Sequence, residues 1–155
     1  VTSAVEKRVK GIEAHKILTE EFFLFTAQDH PWAGQNRISP EQLLTEKFIL
    51  PTKNSETHQL LQAQLLDIDI DIQELNTFLH LGTPEAILLS VQKGLGVSFM
   101  SRQIATMVDG IAKISVDGLS IRRDNHIVRN THQASTSARE AFWHFIKDTK
   151  ISDFS

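Results

Sequence analysis

The amino-acid sequence predicts an α/β fold, a largely parallel sheet flanked by helices. Three observations carry that prediction. Short apolar runs rich in β-branched and aromatic residues alternate with helical stretches of roughly ten to twelve residues. Those helical stretches are too apolar to be solvated all round, so they must cover a sheet. Hydrophobic residues make up 41% of the chain, enough to fill a packed core and to exclude wholesale disorder.

The first dense run is Ile17-Leu18-Thr19-Glu20-Glu21-Phe22-Phe23-Leu24-Phe25, whose second half reads as a short buried strand over Phe22–Phe25. Asp29-His30-Pro31-Trp32-Ala33-Gly34 breaks it with turn chemistry. Ser39-Pro40-Glu41-Gln42 reads as the start of a short helix, with Ser39 as N-cap, Pro40 at the first position and Gln42 closing a capping box. Phe48–Leu50 is the next strand, and Ser55–Leu66 a helix with Leu60, Leu61 and Leu65 on one face. Thr77–Leu81 is a strand, followed by a helix over Pro84–Leu95 that Thr83 caps and Gly94 and Gly96 end. Val97–Met100 is a strand, as are Lys113–Val116 and Ser120–Arg129, which Asp117-Gly118 separates. A last helix begins near Ser135–Ser137 and runs to about Thr149. Its residues Ala138, Ala141, Phe142, Phe145 and Ile146 form one apolar stripe.

Length and charge exclude several function classes. A chain of 155 residues fits one domain or two small lobes. Sixteen basic residues against nineteen acidic ones leave a net charge of −3 and a pI near 6.2. Such a balance offers no excess positive field for phosphates, so this segment is not expected to bind nucleic acid by itself. There is no cysteine, hence no disulfide, thiolate metal site or cysteine nucleophile, which suits a cytoplasmic setting. No apolar run reaches the roughly 18–20 residues of a membrane span. The opening Val1–Arg8 is not a signal peptide, and it starts in mid-pattern without Met. It is expected to be cut from something longer.

Few residues nominate chemistry. Asp67, Asp69 and Asp71 have the first spacings of a calcium loop, but Ile72 and Phe78 stand where that loop needs Gly and Glu. A solvated connection explains them better. The seven histidines form no metal-binding pair motif, and no nucleophile elbow, Walker loop or dinucleotide fingerprint occurs. Two sites stand out. Lys53-Asn54-Ser55-Glu56-Thr57 and Gly82-Thr83-Pro84-Glu85 each follow a strand and open a helix. In a parallel sheet both helix N-termini lie at the carboxyl ends of the strands, where free N–H groups and hydroxyls can hold a small anion. Plain N-capping calls for the same residue types.

The ordered set of these segments resembles the effector-binding domain of LysR-type transcriptional regulators, over essentially the whole chain. Phe22–Phe25 with Asp29-His30-Pro31 is similar to the family's strand and crossover, and Ile38–Leu43 to the helix that follows. Phe48–Leu50 with Asn54-Ser55-Glu56-Thr57 resembles its strand and Gly-Ser-Gly-Thr turn. Leu81–Ile87, Val91 and Gly94–Ser98 resemble the next strand–helix–strand unit. Arg122-Arg123, Val128-Arg129 and the last helix resemble its closing elements. Asn54 and Glu56 depart from the family's glycines, and Pro84 from a second hydroxyl residue.

The resemblance implies two Rossmann-like lobes of the type-2 periplasmic-binding-protein-like fold, with residues 27–118 as lobe II and residues 1–26 and 119–155 as an incomplete lobe I. It implies a ligand-sensing domain that catalyses nothing and holds no metal or cofactor. The expected effector-binding residues are Lys53, Ser55, Thr57, Thr83 and Met100, and the effector a small anion. DNA would be reached only through a helix-turn-helix outside this chain, in a cytoplasmic homodimer or homotetramer. A periplasmic solute-binding protein and an enzyme share the architecture and stand as alternatives. An incomplete lobe I would expose Phe22, Phe23, Phe25, Phe142 and Phe145, so self-association is expected.

Overall fold

A computed structural model of the chain describes residues 10–148. Seven strands run in the order β1 (Ile12–Ala27), β2 (Arg37–Ile38), β3 (Lys47–Pro51), β4 (Asn76–Leu81), β5 (Ser98–Ser101), β6 (Ile111–Val116) and β7 (Ile121–Asn130). Four helices accompany them: α1 (Glu56–Leu65), α2 (Pro84–Gln92), the single turn α3 (Arg102–Ala105) and α4 (Ser137–Asp148). The chain divides into two units, Glu21–Arg122 and a smaller one of Val1–Glu20 with Arg123–Ser155. Both β1 and β7 cross that division.

The larger unit holds the core. β3 and β4 pair in parallel, with Pro51 opposite Leu81 at their carboxyl ends, and Phe48 bridges to Val97 in parallel on the other side. Alternation along β3 sends its residues to opposite faces. Phe48 and Leu50 share a cluster with Leu61 and Leu65 of α1, whereas Ile49 packs with Ile87, Leu88 and Val91 of α2. The two helices therefore cover opposite faces of one sheet. Gly96 is required where Val97 docks: a Cβ there would lie 2.7 Å from the Lys47 carbonyl. The neighbouring contacts are the Val97 N–H to Lys47 O at 2.8 Å and the Ile49 N–H to Val97 O at 2.9 Å.

The second sheet corrects the expected parallel architecture. β1 pairs antiparallel with β5 and with β6, and β2 joins β6 in parallel. The reason is topological, because β1 enters this unit from the opposite direction to the strands of the β–α repeats. Strand β1 also differs from the expected short run, extending over 16 residues. Its first half carries charged residues that pair across to β7, so its strand character does not show as an apolar run.

The helix expected after Ser39 is a 3₁₀ helix over Pro40–Thr45, with the Gln42 side chain accepting from the Ser39 N–H at 2.9 Å. The Asp67–Asp71 stretch is the connection between α1 and β4, in which Asp69 adopts φ +59° and Asp71 caps a 3₁₀ turn over Ile72–Glu74. Phe22 and Phe25 are buried and Phe23 packs partly buried against the second cluster, which corrects their expected exposure. Phe142 and Phe145 are exposed, each 57% accessible.

The smaller unit is a ribbon of β1 and β7 with α4. Arg129 donates to Glu13 at 2.7 Å and to Glu140 at 2.8 Å, and its guanidinium lies 4.7 Å from the centre of the Trp143 ring. Arg123 and Asn125 both donate to one oxygen of Glu20. The expected end of the last helix, Thr149, lies outside the described residues.

Candidate functional site

Parallel pairing of β3 and β4 decides where the two capped helices begin. Each strand ends at the same edge, and each is followed within a few residues by a helix N-terminus. At the first, Thr52 donates its N–H to the Leu81 carbonyl at 3.2 Å and accepts from the Ser55 N–H at 2.9 Å. This turn places Ser55 in extended backbone as N-cap of α1, its Oγ accepting from the His58 N–H at 3.1 Å. At the second, Thr83 caps α2 by accepting from the Ala86 N–H at 3.3 Å, with Pro84 at the first helical position. Because α1 and α2 cover opposite faces of the sheet, their positive ends flank one strand edge from both sides.

Four of the five expected residues thus gather at this edge. Lys53 and Thr83 are exposed, and Ser55 and Thr57 are half-buried. The cap oxygens of Ser55 and Thr83 each already hold one N–H of their own helix. Met100 is placed differently: it is 4% exposed and packs in the apolar cluster of Phe25, Ile49, Ile87, Leu88 and Val91. Alternation along β5 turns its side chain into that core, on the face that α2 covers.

Three further residues at this edge were not nominated. Ser101 ends β5, is buried, and its Oγ accepts from the Ile104 N–H at 3.5 Å as cap of α3. Its signal was a serine directly after an apolar strand. His80 donates from Nδ1 to the Pro51 carbonyl at 3.0 Å, and its ring centre lies 5.9 Å from that of His58. No local spacing announces that pair, since it forms only once β3 and β4 are aligned. Burial, then the charges of His80 and Lys53, hold the His58 proton affinity below the ordinary imidazole value.

Two cavities lie elsewhere. One of about 320 Å³ sits in the smaller unit between Ile127, Arg129, Arg139, Phe142 and Trp143. One of about 130 Å³ sits in the larger unit beside Phe22, Phe99 and Ile121. Among the described residues no three His, Asp or Glu side chains gather to hold a metal ion. No helix among them is long and apolar enough to cross a membrane.

A sheet wound with helices on both faces and capped N-termini along one edge is a ligand-binding geometry found in many families, and comparison with known proteins decides among them. Residues 2–150 match the LysR substrate binding domain family. The chain belongs to this family. A probable RuBisCO transcriptional regulator of Cyanidium caldarium is 29% identical over 140 residues, 87% of this chain and 44% of its own. The HTH-type transcriptional regulator CbbR of Sinorhizobium medicae is 31% identical over 120 residues, 76% of this chain and 38% of its own. This LysR-family chain therefore spans less than half the length of these relatives. The regulatory domain of Synechocystis PCC6803 CcmR, solved in complex with 2-PG, has the same fold, with a TM-score of 0.79 at 21% identity. That match covers 96% of this chain and 71% of the CcmR chain. The fold is thus the periplasmic-binding-protein-like one of LysR effector-binding domains, and its relatives are named transcriptional regulators.

Proposed function

We propose that this chain is the ligand-sensing part of a LysR-type transcriptional regulator and that it binds a small anion at the carboxyl edge of β3 and β4. The observation that carries the reading is the pairing of two capped helix N-termini, at Ser55 and Thr83, on neighbouring parallel strand ends. Backbone N–H groups and the positive ends of the helix dipoles favour a carboxylate or phosphate there. Lys53 adds a flexible positive charge, and Ser55, Thr57 and Thr83 add hydroxyls that can donate to anion oxygens. Met100 acts from beneath, by fixing the strand that ends at this edge. That the CcmR domain was solved in complex with 2-PG supports a small-molecule ligand.

Regulation follows only if the ligand prefers one arrangement of the whole protein over another. DNA contact belongs to a helix-turn-helix outside these residues, in keeping with the name of the CbbR relative. A cytoplasmic homo-oligomer without catalytic activity is the setting such regulators imply, and it favours a sensor over a transport component or an enzyme.

Titration calorimetry with 2-PG and with sulfate tests the site. Thr83→Val keeps the side-chain volume but removes the hydroxyl, and a lost hydrogen bond of this kind weakens binding by about 1–2 kcal/mol. Affinities left unchanged by both Thr83→Val and Ser55→Ala would refute the assignment.

A further inference from the structure

His58 and His80 meet where the ligand edge begins, with ring centres 5.9 Å apart and planes tilted by 44°. The two come from different elements, the first turn of α1 and the last residues of β4. His80 spends its Nδ1–H on the Pro51 carbonyl at 3.0 Å, which fixes the ring and leaves Nε2 as its other polar atom. His58 is more than nine-tenths buried, and its Nδ1 has no hydrogen-bond partner. A buried nitrogen in that state costs free energy, and such groups call for a functional explanation.

The surroundings say which charges reach it. His80 from β4 and Lys53 from the loop before α1 are the charged groups acting on the His58 ring. Both belong to the strand edge, so the ring borders that edge rather than the deeper core. α1 also packs on β3 and on the turn Ile72–Glu74, where the Glu74 carboxylate is occupied by the Asp71 N–H at 3.0 Å. Glu56 is the acidic residue of α1's own first turn. Burial, then the neighbouring His80 and Lys53, lower the proton affinity of His58 while the edge is empty. An anion at Ser55 offsets the Lys53 charge and stabilises an imidazolium, and the more charge it carries the stronger that effect.

We propose that His58 and His80 are a specificity-determining pair that couples anion capture at this edge to uptake of a proton, favouring a doubly charged group such as a phosphate ester over a single carboxylate. The inference rests on reading the β3–β4 edge as the ligand site. Proton balance is simple: the anion and one proton from solvent enter together, and both leave together.

Sulfate stays doubly charged between pH 6 and 8, and acetate singly charged, so the two probes separate charge from protonation. Calorimetry on the full chain, in buffers of unlike ionisation enthalpy, is expected to show proton uptake with sulfate. Sulfate should bind at least about fivefold tighter at pH 6 than at pH 8, with acetate changing much less. His80→Gln, at an exposed position that leaves the core intact, should flatten that dependence. Imidazole NMR signals of the unaltered chain should titrate at higher pH when sulfate is present. Sulfate affinity independent of pH, or unmoved imidazole titrations, overturns the pair even where Ser55→Ala still weakens sulfate. Absent sulfate binding with intact, Ser55-dependent 2-PG binding overturns the pair and leaves the edge standing. Binding of both probes that ignores Ser55→Ala and Thr83→Val removes the edge and the pair with it.

Discussion

In the larger unit, Leu24, Phe48, Ile49, Leu61 and Val91 are wholly sealed from water, and apolar residues from segments far apart in the chain share each cluster. In the smaller unit, Trp143 and Ile146 are the buried hydrophobic residues among those described; Arg129–Glu13 and Arg123–Glu20 tie β7 to β1, and Arg129–Glu140 and Lys147–Glu13 join ribbon to helix. The difference is one of solvent dependence. Hydrophobic burial is not weakened by ionic screening, while ion pairs that water reaches are weakened by salt and by acid. The unit that carries the proposed ligand edge is therefore expected to be the robust one, and the polar ribbon is expected to open first.

The chain carries two tryptophans, Trp32 in the larger unit and Trp143 in the smaller, so each unit has its own fluorescent reporter. Phe48→Ala is expected to have the largest effect, about 3–5 kcal/mol of stability, because it opens a cavity in the sealed core. Urea titration followed at Trp32, in a Trp143→Phe background, measures it. A loss under about 1 kcal/mol would mean that the site collapses and that the core is less sealed than it looks.

Next comes Arg129→Met, which keeps much of the length but removes both ion pairs and the stacking charge over Trp143. Emission from Trp143, in a Trp32→Phe background, should red-shift at lower urea, while the Trp32 transition, read in the Trp143→Phe background, stays in place. Equal movement of both transitions would show that the units are one cooperative body.

Acid should separate the units in the same direction. Arg129 beside Glu13, the Thr19 hydroxyl beside Asp124, and the Ser135 and Arg129 side chains beside Glu140 hold these carboxylates below their ordinary range. Their stabilisation is present above that range and is lost as pH falls through the lowered values. The Trp143 signal should therefore change first on acidification below about pH 4. His58 acts differently: its proton affinity is lowered on folding, so stability of the larger unit falls as pH drops below the ordinary imidazole value. His58→Gln should remove that shallow dependence between pH 7 and pH 5 at Trp32.

The smallest effects are the caps. Ser55→Ala and Thr83→Ala should each cost about 1 kcal/mol at Trp32, since one N–H of α1 or α2 loses its partner.

The same contrast explains what could be foreseen from residues alone. Phe48–Leu50, the helix after Ser55, the strand before Gly82 and the helix after Thr83 are legible because apolar periodicity and capping are local signals. The antiparallel pairing of β1 and the length of its first half are not, because Glu13, Lys16 and Glu20 find their partners more than a hundred residues away. Within the site, Ser55 and Thr83 were legible as caps. Met100 shows that a residue near the right strand end can still point into the core. The His58–His80 contact needs the register of β3 on β4, and no sequence pattern carries a register between strands 25 or more residues apart.

Residue-resolved amide hydrogen exchange on the full chain, with and without saturating sulfate, tests both the contrast and the ligand edge at once. Slowest exchange is expected at 48–50, 61–65 and 97–100, with ribbon amides at 12–19 and 124–130 far faster. Sulfate should slow the amides of residues 55–58 and of Thr83, Glu85 and Ala86 and leave the ribbon unchanged. Uniform protection across both units, or sulfate protection that misses both helix N-termini, would contradict it.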